Sequence, residues 1–100
     1  MQILGKPKIM KFEQKHPQSR EPLRAWVNEV EACHWKNTQD IKRRYRHASF
    51  LHHNQVIFNI GGRKYRLEVK VQFRYGKVLI LEINTHAEYD KKNKKRSSVK

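Results

Sequence analysis

Residues 64–73 read Lys64-Tyr65-Arg66-Leu67-Glu68-Val69-Lys70-Val71-Gln72-Phe73. Alternate side chains of a β-strand project from opposite faces. Tyr65, Leu67, Val69, Val71 and Phe73 therefore share an apolar face, while Lys64, Arg66, Glu68, Lys70 and Gln72 share a polar one. Just upstream, Val56, Phe58 and Ile60 alternate with Gln55, Ile57 and Asn59, and Gly61-Gly62 supplies a hairpin turn. Downstream, Arg74-Tyr75-Gly76 turns the chain again and residues 77–83 form a third strand. Its run Val78-Leu79-Ile80-Leu81 is apolar on both faces, as in a central, covered strand. Thr85 then caps a turn or helical turn over residues 85–90.

The first half of the chain has a different period. Gln2 to Leu4 reads as a short strand ended by Gly5. Pro7 suits the first turn of a helix that runs to about His16, where His16-Pro17 stops it. Ser19 reads as an N-cap, and Leu23, Trp26, Val27, Val30 and Cys33 recur at helical spacing, which predicts a helix over 20–33. Thr38 reads as the cap of a short third helix through Tyr45, with Ile41 and Tyr45 inward and Lys42, Arg43, Arg44 and Arg46 outward. Helices first and an antiparallel meander afterwards argue an α+β fold. Three helices should cover one face of a small twisted antiparallel sheet that the N-terminal strand joins. The core should come from the 23–33 helix and the 65–73 strand, leaving the other sheet face concave and basic.

Lys and Arg number 23 against 9 Asp and Glu, a formal net charge of +14, so the expected partner is a polyanion. The excess is uneven. Residues 1–35 carry 6 cations and 4 acids, residues 36–72 carry 9 and 2, and residues 73–100 carry 8 and 3. The chain is long enough for one domain, expected over 1–91, with a basic flexible tail over 92–100. It shows neither an apolar run long enough for a membrane span nor a leader-like N-terminus, and Cys33 is alone, which fits a reduced cytoplasmic compartment.

The groups that could do chemistry near the basic strand are Lys64, Arg66, Lys70, His86 and Tyr89. RNA cleavage without a metal needs a base for the ribose 2′-hydroxyl, cations on the phosphate and an acid for the leaving 5′-oxygen. Histidine serves as base or acid near neutrality, and arginine grips phosphate with two parallel donors. A metal-dependent nuclease would need clustered carboxylates, and Glu82, Glu88 and Asp90 match no such motif, so neither metal nor cofactor is expected. Bland readings stand beside these. The polar strand face could be merely solvated, His86 structural, Tyr89 packed on the sheet, and the 42–46 cations an ordinary exposed helix face. A non-catalytic RNA- or ribosome-binding module fits the charge equally well. Direct DNA binding is disfavoured, because no helix-turn-helix is visible.

The stretch Val56-Ile57-Phe58-Asn59-Ile60-Gly61-Gly62-Arg63-Lys64-Tyr65-Arg66-Leu67 and the later Thr85-His86-Ala87-Glu88-Tyr89-Asp90 resemble the HigB family of type II toxins. The helix around Trp26 and the segment Ala32-Cys33-His34-Trp35-Lys36-Asn37 are similar to it as well, so the likeness spans about residues 2–91. The resemblance implies a RelE-like fold and an mRNA endonuclease that acts during translation on the ribosome. It implies a HigA-type helix-turn-helix antitoxin, with operator DNA reached only through the antitoxin complex. On matching positions, Arg66 is assigned to the scissile phosphate, His86 to proton transfer, and Tyr89 to base stacking or shared proton transfer. Lys64 and Lys70 would support the phosphate field, with Lys42, Arg43, Arg44, Arg46 and Lys91 as further RNA contacts.

Overall fold

The computed structural model describes residues 1–88 of the 100-residue chain. Strand β1 (Gln2–Leu4) leads into helix α1 (Lys6–Lys15), and a 3-10 turn over Pro17–Ser19 runs directly into α2 (Arg20–Ala32). Then come α3 (Thr38–Arg44), β2 (Ser49–Phe50), β3 (Gln55–Ile60), β4 (Tyr65–Gln72) and β5 (Lys77–Thr85). The strands form one sheet in the order β1-β5-β4-β3-β2.

The alternation of 64–73 is realised as β4 at the centre of that sheet. Leu67, Val69 and Val71 are fully buried and Tyr65 nearly so, whereas Arg66, Glu68 and Lys70 are only partly covered. The helices bury this face: Ile9 of α1, Leu23, Trp26 and Val30 of α2 and Ile41 of α3 join Leu67, Val69, Val71, Val78 and Ile80 in one core. Phe58 is its aromatic hub. Tyr45 and Trp26 meet its ring edge-on at 5.0 and 5.3 Å between centroids, and Trp35 stacks on it at 5.9 Å. Such pairs add to plain area burial.

Several expectations are corrected. The sheet is mixed: β1 runs parallel to β5, with Gln2 opposite Lys77 and Leu4 opposite Leu79, because the helices in between act as a crossover. The β3–β4 turn holds four residues rather than two. Gly61 and Gly62 both take positive φ (64° and 73°), the pairing stops at Ile60–Tyr65, and Arg63 and Lys64 complete the turn. β5 lies inside the sheet but is not covered on both faces, since Leu79 is 37% exposed. It also extends to Thr85, where it meets the first residue of β4. Ile57 sits with Gln55 and Asn59 in the alternation yet is buried.

The caps differ too. Ser19 has helical backbone angles because the 3-10 turn continues into α2, so its hydroxyl turns back and donates to the His16 carbonyl at 2.6 Å. Asn37, not Thr38, caps α3, its side-chain oxygen accepting from Asp40 N at 3.1 Å. At the other crossing, Gly5 has φ 94°, and a Cβ there would lie 3.2 Å from Ile80 Cβ, so only glycine lets α1 start against β5. No helix among the described residues is long and apolar enough to cross a membrane.

Candidate active site and nucleic-acid interface

The face of the sheet turned away from the helices is built row by row from the strand register. One row carries Asn59 of β3, Arg66 of β4 and Asn84 of β5 side by side. The β2 end of the row is continued by His47, whose carbonyl accepts from Asn59 Nδ2 at 3.3 Å. Beyond Arg66, the ladder reaches the β3–β4 turn, where His86 N donates to the Lys64 carbonyl at 2.8 Å. Lys64, Arg66 and His86 thus meet at one corner of the sheet. Lys64 is exposed there, while Arg66 and His86 are partly buried. In chemical terms, the corner offers a guanidinium, an ammonium and an imidazole within one short segment of ladder.

His86 is held by its neighbours on the chain. Thr85 ends β5, and a helical turn starts at His86. Glu88 N donates to Thr85 Oγ1 at 3.1 Å, and Thr85 N donates to Glu88 Oε1 at 3.0 Å. This reciprocal pair is a capping box. The backbone donor and the Thr85 side chain hold the Glu88 carboxyl below the usual carboxylate range. A depressed carboxyl stabilises the fold above its unfolded pKa, about 4.3 for Glu, and that support is lost as pH falls through the lower folded value. Thr85→Ala is expected to cost about 1 kcal/mol in urea unfolding at neutral pH. Glu88→Gln, which removes the titrating partner of the box, should also destabilise at neutral pH, and its difference from the parent should shrink below about pH 4. An undiminished gap at low pH would show that the box does not fix this turn.

The remaining expected residues are dispersed. Lys70 lies four residues along β4, about 13 Å from Arg66 at the usual strand rise, opposite Gln55 and Leu79. Between them Glu68 faces Glu82 across β4 and β5, so the cations of β4 do not form one continuous stripe. Around α3, Arg43 pairs with Asp40 at 3.5 Å, Arg44 pairs with Glu29, and Lys42 donates to the Ala48 carbonyl at 3.4 Å beside the Phe50 ring. Tyr45 also donates to Glu29, at 2.7 Å; burial first, then that hydrogen bond, pushes its phenol well above the ordinary range. Arg46 is exposed and makes no ion pair among the described residues. Tyr89, Lys91 and the 92–100 tail lie outside the described residues.

Sequence reasoning passed over Arg63, His47 and Asn59. Arg63 follows the glycine turn and His47 precedes β2, and they come to one edge of the sheet only because β2 pairs with β3. No group of three or more His, Cys, Asp or Glu side chains among the described residues is placed to hold a metal ion.

Comparison with known proteins agrees with this architecture. Over 92 residues the chain is 26% identical to the mRNA interferase toxin HigB of Escherichia coli (strain K12), covering 90% of this chain and 88% of that protein. The same identity and coverage hold for the mRNA interferase HigB of Escherichia coli O157:H7 and of Shigella flexneri. Residues 19–92, which run from the start of α2 past the capping box, match the family model described as HigB_toxin, RelE-like toxic component of a toxin-antitoxin system. With its helices on one face of a five-stranded sheet and that match across most of its length, the chain belongs to the HigB family of RelE-like toxins, the toxic halves of toxin–antitoxin systems.

Proposed function

We propose that this toxin is an mRNA interferase, a metal-independent endoribonuclease that cuts messages while they are translated on the ribosome. The observation that carries the reading is the meeting of Arg66, Lys64 and His86 at one corner of the sheet, fixed by the Asn59–Arg66–Asn84 row and the His86–Lys64 backbone bond. The relatives' names as mRNA interferases point the same way. The ribose 2′-oxygen attacks the adjacent phosphorus, and the bond to the 5′-oxygen of the next nucleotide breaks. The products are a 2′,3′-cyclic phosphate, which water opens to a 3′-phosphate, and a 5′-hydroxyl. Arg66 holds the phosphate as charge builds on it, with Lys64 adding to the field. His86 carries the proton, and Tyr89 stacks on a base or shares the transfer. The other half of the system is an antitoxin of HigA type with a helix-turn-helix domain, through which alone the complex reaches operator DNA, and both act in the cytoplasm.

Induced expression followed by primer extension on a reporter message tests this. Discrete cuts are expected inside the reading frame, lost when its start codon is blocked, with a 5′-hydroxyl on the downstream fragment. A folded chain that binds RNA or ribosomes and cuts nothing would replace the reading with a binding module.

A further inference from the structure

Between the 45–48 loop and the β3–β4 turn lies an open cleft of about 320 Å³. Arg46 and His47 form one wall, Gly62 and Arg63 the other, and Asn59 lines it between them. Four properties single it out. Arg46 and Arg63 are exposed and make no ion pair among the described residues, unlike Arg43 and Arg44 nearby. Gly62, at φ 73°, has no heavy atom within 4 Å of where a Cβ would stand, so backbone and space are open there. Asn59 ties the loop to β3 through Nδ2, while its Oδ1 is buried without a hydrogen bond among the described residues. Finally, Asn59 is the direct strand partner of Arg66, so the cleft begins one strand from the corner described above.

We propose that this cleft seats the nucleotide next to the one held at Arg66, its phosphodiester gripped by Arg46 and Arg63. The inference rests on the mRNA-cutting reading for its substrate, single-stranded RNA. Two interstrand spacings separate His47 from Arg66 along the row, roughly 10 Å, which suits a neighbouring nucleotide rather than a remote one. Two guanidinium groups facing across a cleft match a phosphate's several oxygens better than point charges do. Arg44, already engaged by Glu29, stiffens the wall rather than meeting RNA.

Binding of a short fluorescent single-stranded RNA to the Arg66→Ala chain, measured by anisotropy over a range of salt, isolates the cleft from cutting. Adding Arg46→Gln and Arg63→Gln together should flatten the log Kd against log salt slope by about 0.7 if the two share one phosphate, and about 1.4 if each holds its own. Arg74→Gln with Lys77→Gln, at the opposite end of the sheet, removes the same charge and should change the slope far less. Equal flattening in both pairs, or none in the first, overturns the proposal. In the chain with Arg66 intact, the cleft pair should raise KM and spare kcat. Normal cutting with an unchanged slope refutes the cleft alone. A changed slope with no cutting by the parent refutes the nuclease reading and leaves the cleft standing as an RNA seat.

Discussion

Arg66→Ala should abolish growth arrest on induction and lower message cutting by about 10²–10³-fold, the usual loss when one donor to a developing oxyanion is removed. The size follows from position. Arg66 lies on the central strand one rung from its end, with Asn59 on one side and Asn84 on the other, so its backbone is fixed before any RNA arrives. A group fixed in advance costs no reorganisation when charge appears on the phosphate. Arg66→Lys should recover only part of the loss, since it keeps the charge and gives up the two-pronged grip. Because the arginine stem is partly covered, thermal unfolding of each variant must accompany the rate, so that lost packing is not read as lost chemistry. A stable Arg66→Ala chain as toxic as its parent would move the phosphate site away from β4.

His86→Gln should cost about 10²–10⁴-fold, the range for a positioned acid or base. Its backbone is placed by the N–H on the Lys64 carbonyl and by the capping box of Thr85 and Glu88, so thermal unfolding of the variant should be measured beside the rate. The two variants should differ in kind. Losing a phosphate-holding cation scales the whole pH–rate profile down with its shape kept. Losing a proton carrier removes one limb of that profile. Single-turnover cutting of a ribosome-bound message across pH separates them, and a His86→Gln profile with both limbs intact would hand the proton to another group.

Much of this was readable in the chain because the periods are strong. The alternation of 64–73 became the central strand, and the 20–33 spacing became α2 with Leu23, Trp26 and Val30 in the core. β2 was not readable, since two residues, Ser49 and Phe50, display no period. Neither was the direction of β1, which depends on what it meets rather than on Gln2 to Leu4 themselves. The corner was legible because Arg66 and His86 stand in recognisable motifs, and the sheet then explains why those motifs belong together. The cleft was not, because Arg46 and Arg63 are neighbours only through β2. The 42–46 cluster is one patch as a string, but in the fold Arg43 and Arg44 pair with acids and Lys42 donates to a carbonyl, while Arg46 makes no ion pair among the described residues.

The pairing of Gln2 with Lys77 closes the sheet between strands at opposite ends of the described chain. Contacts so distant in sequence form late, after the loop entropy of everything between them has been met. Vectorial synthesis makes this stricter: β1 emerges first and must wait for β5, and the corner that joins Lys64 to His86 is made by the same late strand. An abortive fragment that stops before β5 therefore lacks the strand that brings His86 to Lys64.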